Sequence, residues 1–119
     1  MNIIDALIQE FQQESATTRK VLERVPTEHF GWKPHEKSMT MGQLASHLAE
    51  NLSWAEGTMK EDVWLMDMAT YKPFVAANTN ELLEKFDENL VKALESMKGA
   101  TNDHMMKMWA MKTPDGNTI

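Results

Sequence analysis

At 119 residues the chain has room for one domain with a real core, but not for two. It contains no cysteine, which excludes disulfides, thiolate metal sites and cysteine nucleophiles and fits a reducing, cytoplasmic setting. Eighteen acidic against twelve basic residues leave a net charge of −6, which argues against nucleic acid as a partner, and no apolar run approaches the ~20 residues of a membrane span. The N-terminus also lacks the basic, then apolar, pattern of a signal peptide.

From Asn2 to Val25, the residues Ile4, Leu7, Ile8, Phe11, Ser15, Thr18, Leu22 and Val25 recur at steps of three and four, the spacing of one helix face. Glu10, Gln13, Thr17, Lys20 and Arg24 form the opposite, solvated face, and Pro26 stops the helix. A connection carrying Gly31 and Pro34 runs to Met39. Thr40 with Gln43 reads as a capping box opening a second helix, whose apolar stripe is Met41, Leu44, Ala45, Leu48, Leu52, Ala55 and Met59.

Residues 60–69 read as a short helix or irregular turn holding Trp64, Leu65 and Met68, broken by Tyr71-Lys72-Pro73. Asn78 and Glu81 repeat the capping signal and start a third long helix, with Leu82, Leu83, Phe86, Leu90, Ala93, Leu94 and Met97 on its stripe and Gly99 as its stop. No strand-like alternation competes. Three long amphipathic helices of matched length predict an all-α bundle of the up-and-down type, one domain over residues 1–119.

Met105 to Met111 is too short and mixed for a matched fourth helix, and Thr113-Pro114-Asp115-Gly116-Asn117 is turn chemistry that leads only to Thr118 and Ile119. The expectation is a bundle with its fourth helix absent from the chain or borrowed from elsewhere. Three stripes without a fourth leave an apolar groove, which predicts self-association, most simply as a homodimer.

His47 is the leading candidate for chemistry. It lies beside the stripe of the second helix, near Leu44 and Asn51. Histidine is the commonest metal ligand, yet a single one at a stripe edge is also an ordinary hydrogen-bonded core-edge residue; spacing leaves both open. His29 and His35 fall in the connection and read as turn packing or solvent-facing residues. His104 precedes Met105, Met106, Met108 and Met111, a group able to hold a soft ion such as Cu(I), or else flexible core filler. The tryptophans at 32, 54, 64 and 109 read as packing residues. Asp87-Glu88 and Glu61-Asp62 are sequence neighbours that point to different sides and read as solvated surface. There is no nucleophile elbow, phosphate loop or paired-histidine zinc motif, and so no visible catalytic set.

The run from Val25 to Glu50, with Pro26, Trp32-Lys33-Pro34, Ser38 and Leu44-Ala45-Ser46-His47, resembles the DinB-like superfamily of small bacterial metalloproteins. The preceding helix, Asn80-Glu81-Leu82-Leu83 and Phe86-Asp87 follow the same order and spacing, so the resemblance spans essentially the whole chain. It implies a four-helix bundle that binds a divalent ion, often zinc or nickel, through three histidines, of which His47 matches the one on the second helix. The other two belong to a fourth-helix stretch of the H-x-x-x-H-R-G-Q kind, which is absent here, and His29, His35 and His104 do not match them.

Similar proteins include S-transferases that use bacillithiol or mycothiol, a mycothiol-dependent isomerase and metal-dependent hydrolases. The resemblance therefore implies S-transferase or hydrolase chemistry on a small-molecule substrate, with a low-molecular-weight thiol as cofactor. The metal in such a site lowers the pKa of a bound thiol or water. Asn51 and Trp54, one and two turns past His47, would line the pocket, unless Trp54 serves packing. The alternative is a non-catalytic bundle that self-associates through its apolar groove, with His47 an ordinary residue.

Overall fold

The computed structural model describes residues 2–119. Helix α1 spans Ile3–Glu23 and ends just ahead of Pro26, as the proline requires. Its predicted outer face, Glu10, Gln13, Thr17, Lys20 and Arg24, is exposed, and Ile4, Ser15 and Leu22 are buried. A 3-10 turn, Thr27–His29, follows. Thr79 closes this corner: its amide donates to Thr27 Oγ1 at 3.0 Å and its hydroxyl donates to the Val25 carbonyl at 2.7 Å. The end of α1 is thus latched to the start of the third long helix.

Helix α2, Met41–Glu50, opens with the capping box read from the sequence: Gln43 N donates to Thr40 Oγ1 at 3.1 Å, and Thr40 N to Gln43 Oε1 at 2.8 Å. Two further first-turn donors are met by the connection, Met41 N by the Trp32 carbonyl at 2.8 Å and Gly42 N by the Phe30 carbonyl at 2.9 Å. The second helix is not continuous to Met59 as expected. It breaks at Asn51–Leu52 and resumes as α3, Ser53–Lys60. Trp54 N reaches the Asn51 carbonyl and Ala55 N the Leu52 carbonyl, so the chain tightens to three-residue steps, while the Ser53 hydroxyl donates to the Glu50 carbonyl at 2.7 Å. A serine that bonds back to its own helix competes with the regular ladder and bends it.

Helix α4, Thr79–Met97, is capped by Asn78, whose Oδ1 accepts the Glu81 amide at 2.8 Å, and stops where Gly99 adopts φ +73°. It is the central column: α1, α2 and α3 all pack on it. The core is Leu22, Ala45, Ala49, Ala76, Leu82 and Phe86, ringed by Val25, Phe30, Leu52, Phe74, Leu83 and Leu90. The helix-stripe expectation holds for α4 but fails for α2. There the buried face is Gly42, Ala45, Ser46 and Ala49, and Leu44 and Leu48 are 51% and 37% exposed. Small side chains let α2 approach closely, and buried polar bonds fix it: Ala76 N donates to Ser46 Oγ, and Asn89 Nδ2 to the Ala49 carbonyl, both at 2.9 Å. Leu7 of α1, expected inside, is also exposed.

Two short strands depart from the all-helical reading. Val63–Leu65 (β1) pairs in parallel with Ala110–Lys112 (β2), Trp64 opposite Met111. A four-residue helix, α5 (Asn102–Met105), precedes β2, and its Asn102 Oδ1 accepts the Ile3 amide at 2.8 Å. The Thr113–Asn117 turn folds as its composition predicts, with Gly116 at φ +88°, and brings Thr118 back to pair with Lys112. The strand pair stacks three indoles edge to face, Trp54 on Trp64 (centroids 5.6 Å apart) and Trp64 on Trp109 (6.3 Å). Trp32 lies outside this group and is 56% exposed, against its reading as a packing residue. No helix among the described residues is long and apolar enough to cross a membrane.

Candidate functional site

His47 sits on the last full turn of α2, half-buried, on the flank that also carries Leu44 and Leu48. Its carbonyl accepts the Asn51 amide at 2.9 Å. Two other histidines commit a ring nitrogen: His35 Nδ1 accepts the Lys37 amide at 3.1 Å, and His104 Nε2 donates to the Met59 carbonyl at 2.9 Å. His47 makes no such bond among the described residues, which leaves its imidazole available for an outside partner. The bond to Met59 ties His104 to the protein, and Met108 beside it is 90% exposed, so these two do not form an enclosed soft-ion cage. His29 is exposed on its 3-10 turn.

A divalent ion held by the protein alone takes three or four donors at fixed spacing. Among the described residues no group of three His, Asp or Glu side chains is placed to hold one. The residues present therefore do not fit a complete metal centre, and His47 stands as a single donor.

Asn51, expected to line a pocket, is exposed at the end of α2. Trp54 is half-buried and packs on Trp64; it also lines an open cleft with Glu50, Ser53, Asp67 and Tyr71. Glu50 escaped attention in the sequence, although it lies one turn beyond His47. Its Oε2 is shut off from solvent and has no hydrogen-bond partner within normal distance among the described residues. Burial first, and then the adjacent Glu50 carboxylate, push the Tyr71 hydroxyl above the ordinary phenol range, so it stays a neutral donor.

Asp87 is also different from its reading as free surface. It receives the Arg19 guanidinium in a two-pronged pair, Nε to Oδ1 at 2.8 Å and Nη2 to Oδ2 at 2.9 Å, which holds the carboxyl below the usual aspartate range. That pair belongs to the α1–α4 contact.

The model of the DinB family matches residues 1–117. No curated protein and no solved structure matches the chain. A match that spans nearly every residue, on a helical chain whose second helix presents an uncommitted histidine, is decisive for ancestry: the chain belongs to the DinB family.

Proposed function

We propose that the α2 face bearing Leu44, His47 and Leu48 is the working face of this protein, and that it acts only when a further apolar helical surface covers it. The observation that carries this reading is the uncommitted His47 imidazole between two exposed leucines. An apolar strip around a free nitrogen donor suits a second helical element that brings its own donors. In that assembly His47 is one ligand of a divalent ion, zinc or nickel, and Trp54 and Asn51 border the substrate space.

The reaction class proposed is S-transfer from a low-molecular-weight thiol, or hydrolysis, on a small molecule in the cytoplasm. The bound ion would supply acidity to a thiol or water. Within this chain, the backbone bond from Asn51 to the His47 carbonyl keeps that turn helical.

Elemental mass spectrometry on this chain and on His47→Ala tests the reading. Near-stoichiometric zinc or nickel in the parent, gone from the variant, is the expected result. Metal absent from both, in a protein that is demonstrably folded, removes the metal reading.

A second reading rests on the leucines alone: a non-catalytic bundle that forms homodimers through the same face. Leu44→Glu with Leu48→Glu should then convert a dimer to a monomer in light scattering while the chain stays folded, since neither side chain is in the core. A parent protein that is already monomeric at tens of micromolar rules this second reading out.

A further inference from the structure

We propose that a second copy of this chain covers the outward face of α2, the two α2 helices lying antiparallel about a two-fold axis between Leu44 and Ala45. This rests on the reading that an apolar helical surface covers that face, and it names the surface and its register.

Helix α2 carries two seams, and the chain buries only one of them. Gly42, Ala45, Ser46 and Ala49 are inside. Met41, Leu44 and Leu48 lie on another side at steps of three and four, the spacing at which paired helices interlock. Gln43, His47 and Asn51 flank this outer seam. None of these six residues is Asp, Glu, Lys or Arg, in a chain where such residues make up 25%. Depletion of charge is the compositional mark of an interface core. It also selects the partner. A two-fold axis sets each residue near its own image, so an acidic seam would repel its copy, whereas a basic partner finds no carboxylate here to read.

The two ends of the seam are complementary. At the start of α2, His29, Trp32 and Met41 line a socket of about 300 Å³. Backbone bonds hold it in shape, from Met41 N to the Trp32 carbonyl at 2.8 Å and from Gly42 N to the Phe30 carbonyl at 2.9 Å. Leu48 stands seven residues beyond Met41, two turns and about 10.5 Å along the axis, on nearly the same side. A knob and a socket so placed on one helix match their own copy in the antiparallel sense. Leu48 of each copy then enters the socket of the other, and the two Leu44 side chains meet beside the axis. Such a contact closes at two copies.

The surface of the single chain is large enough to supply this interface. It exposes 8250 Å², whereas a compact monomer of 13.6 kDa exposes about 6,600 Å². Its radius of gyration is 16.2 Å against about 13.5 Å for a compact domain of this length, and its extents of 47 × 37 × 21 Å describe a thin slab. The surplus of about 1,700 Å² is twice the roughly 800 Å² that each partner gives to a stable interface.

The chain has no cysteine, so single-cysteine variants report only on the position changed. Sedimentation of the full chain should show a dimer at tens of micromolar. Under mild oxidation Leu44→Cys should crosslink to itself. Met41→Cys mixed with Leu48→Cys should crosslink at least about fivefold more than either variant alone, since disulfides form only at close approach. Trp32→Ala, which removes an exposed ring outside the core, should weaken the dimer at least about tenfold. A dimer in which Leu44→Cys stays unlinked, or Met41→Cys links to itself as readily as to Leu48→Cys, overturns the proposal. So does unchanged dimerisation in Trp32→Ala, or a monomer that adsorbs to phosphatidylcholine vesicles instead. A monomer that still binds stoichiometric metal, lost in His47→Ala, overturns this inference and leaves the reading it rests on standing. A dimer with the stated crosslinks and no metal supports the inference and removes the metal.

Discussion

Arg19 of α1 and Asp87 of α4 meet in a planar, two-pronged ion pair at 2.8 and 2.9 Å, the one charged clasp recorded between the two longest helices among the described residues. Arg19 also bonds Glu23 one turn on, so a single guanidinium serves both helices. Hydrogen bonding to Arg19 lowers the Asp87 pKa most; burial opposes it, and the guanidinium charge adds a smaller lowering. The folded-state value is thus below the unfolded one. The stabilisation is complete above about pH 4, the ordinary aspartate value, and is lost as pH falls through the lower folded value. Asp87→Asn should cost about 1 kcal/mol or less at neutral pH, because both side chains are more than a third exposed. Urea melts at pH 7 and pH 3 should show that difference shrink in acid; an equal difference at both values would contradict it.

Asn89 is the more consequential polar residue. It is 5% exposed, and its amide donates to the Ala49 carbonyl across the α2–α4 contact. Asn89→Ala leaves that carbonyl without the bond and opens space beside it, at a cost of about 1–3 kcal/mol. Chemical denaturation of the variant should show the loss with an unchanged dependence on denaturant. A change under about 0.5 kcal/mol would mean that water replaces the amide there.

Gly42 and Gly31 make a matched pair. A Cβ on Gly42 would come within 3.0 Å of three Phe30 carbons, including Phe30 Cβ, which cannot move without the backbone. Nothing lies within 4 Å of a Cβ on Gly31. Gly42→Ala should therefore destabilise by about 1–3 kcal/mol in spite of alanine's better helix propensity. Gly31→Ala should stay within about 0.5 kcal/mol of the parent. Thermal melts of the two variants side by side provide the check.

Helix ends were legible in the sequence wherever one short-range bond decides them. The Thr40–Gln43 box, the Asn78 cap and the Gly99 stop all depend on residues within a turn of each other. The buried face of α2 was not legible, because hydrophobicity points to Leu44 and Leu48 while close packing selects Gly42, Ala45, Ser46 and Ala49. Three-residue strands are too short to show an alternation, so β1 and β2 gave no warning. Of the candidate sites, His47 could be found from its place on α2. The cleft could not, since Asp67 and Tyr71 reach Glu50 and Trp54 only through the course of an irregular segment. A carboxylate one turn before a tryptophan was the only trace of it in the sequence.

The parallel pairing of residues 63–65 with 110–112 gives this helical chain a slow step. Helices knit from neighbours along the chain within about a microsecond, whereas partners this far apart must first wait for the intervening loop and α4 to be in place. The Trp64–Trp109 contact can exist only after that closure. The tail beyond α4 is thus secured by a long-range closure, and the indole stack would report its arrival.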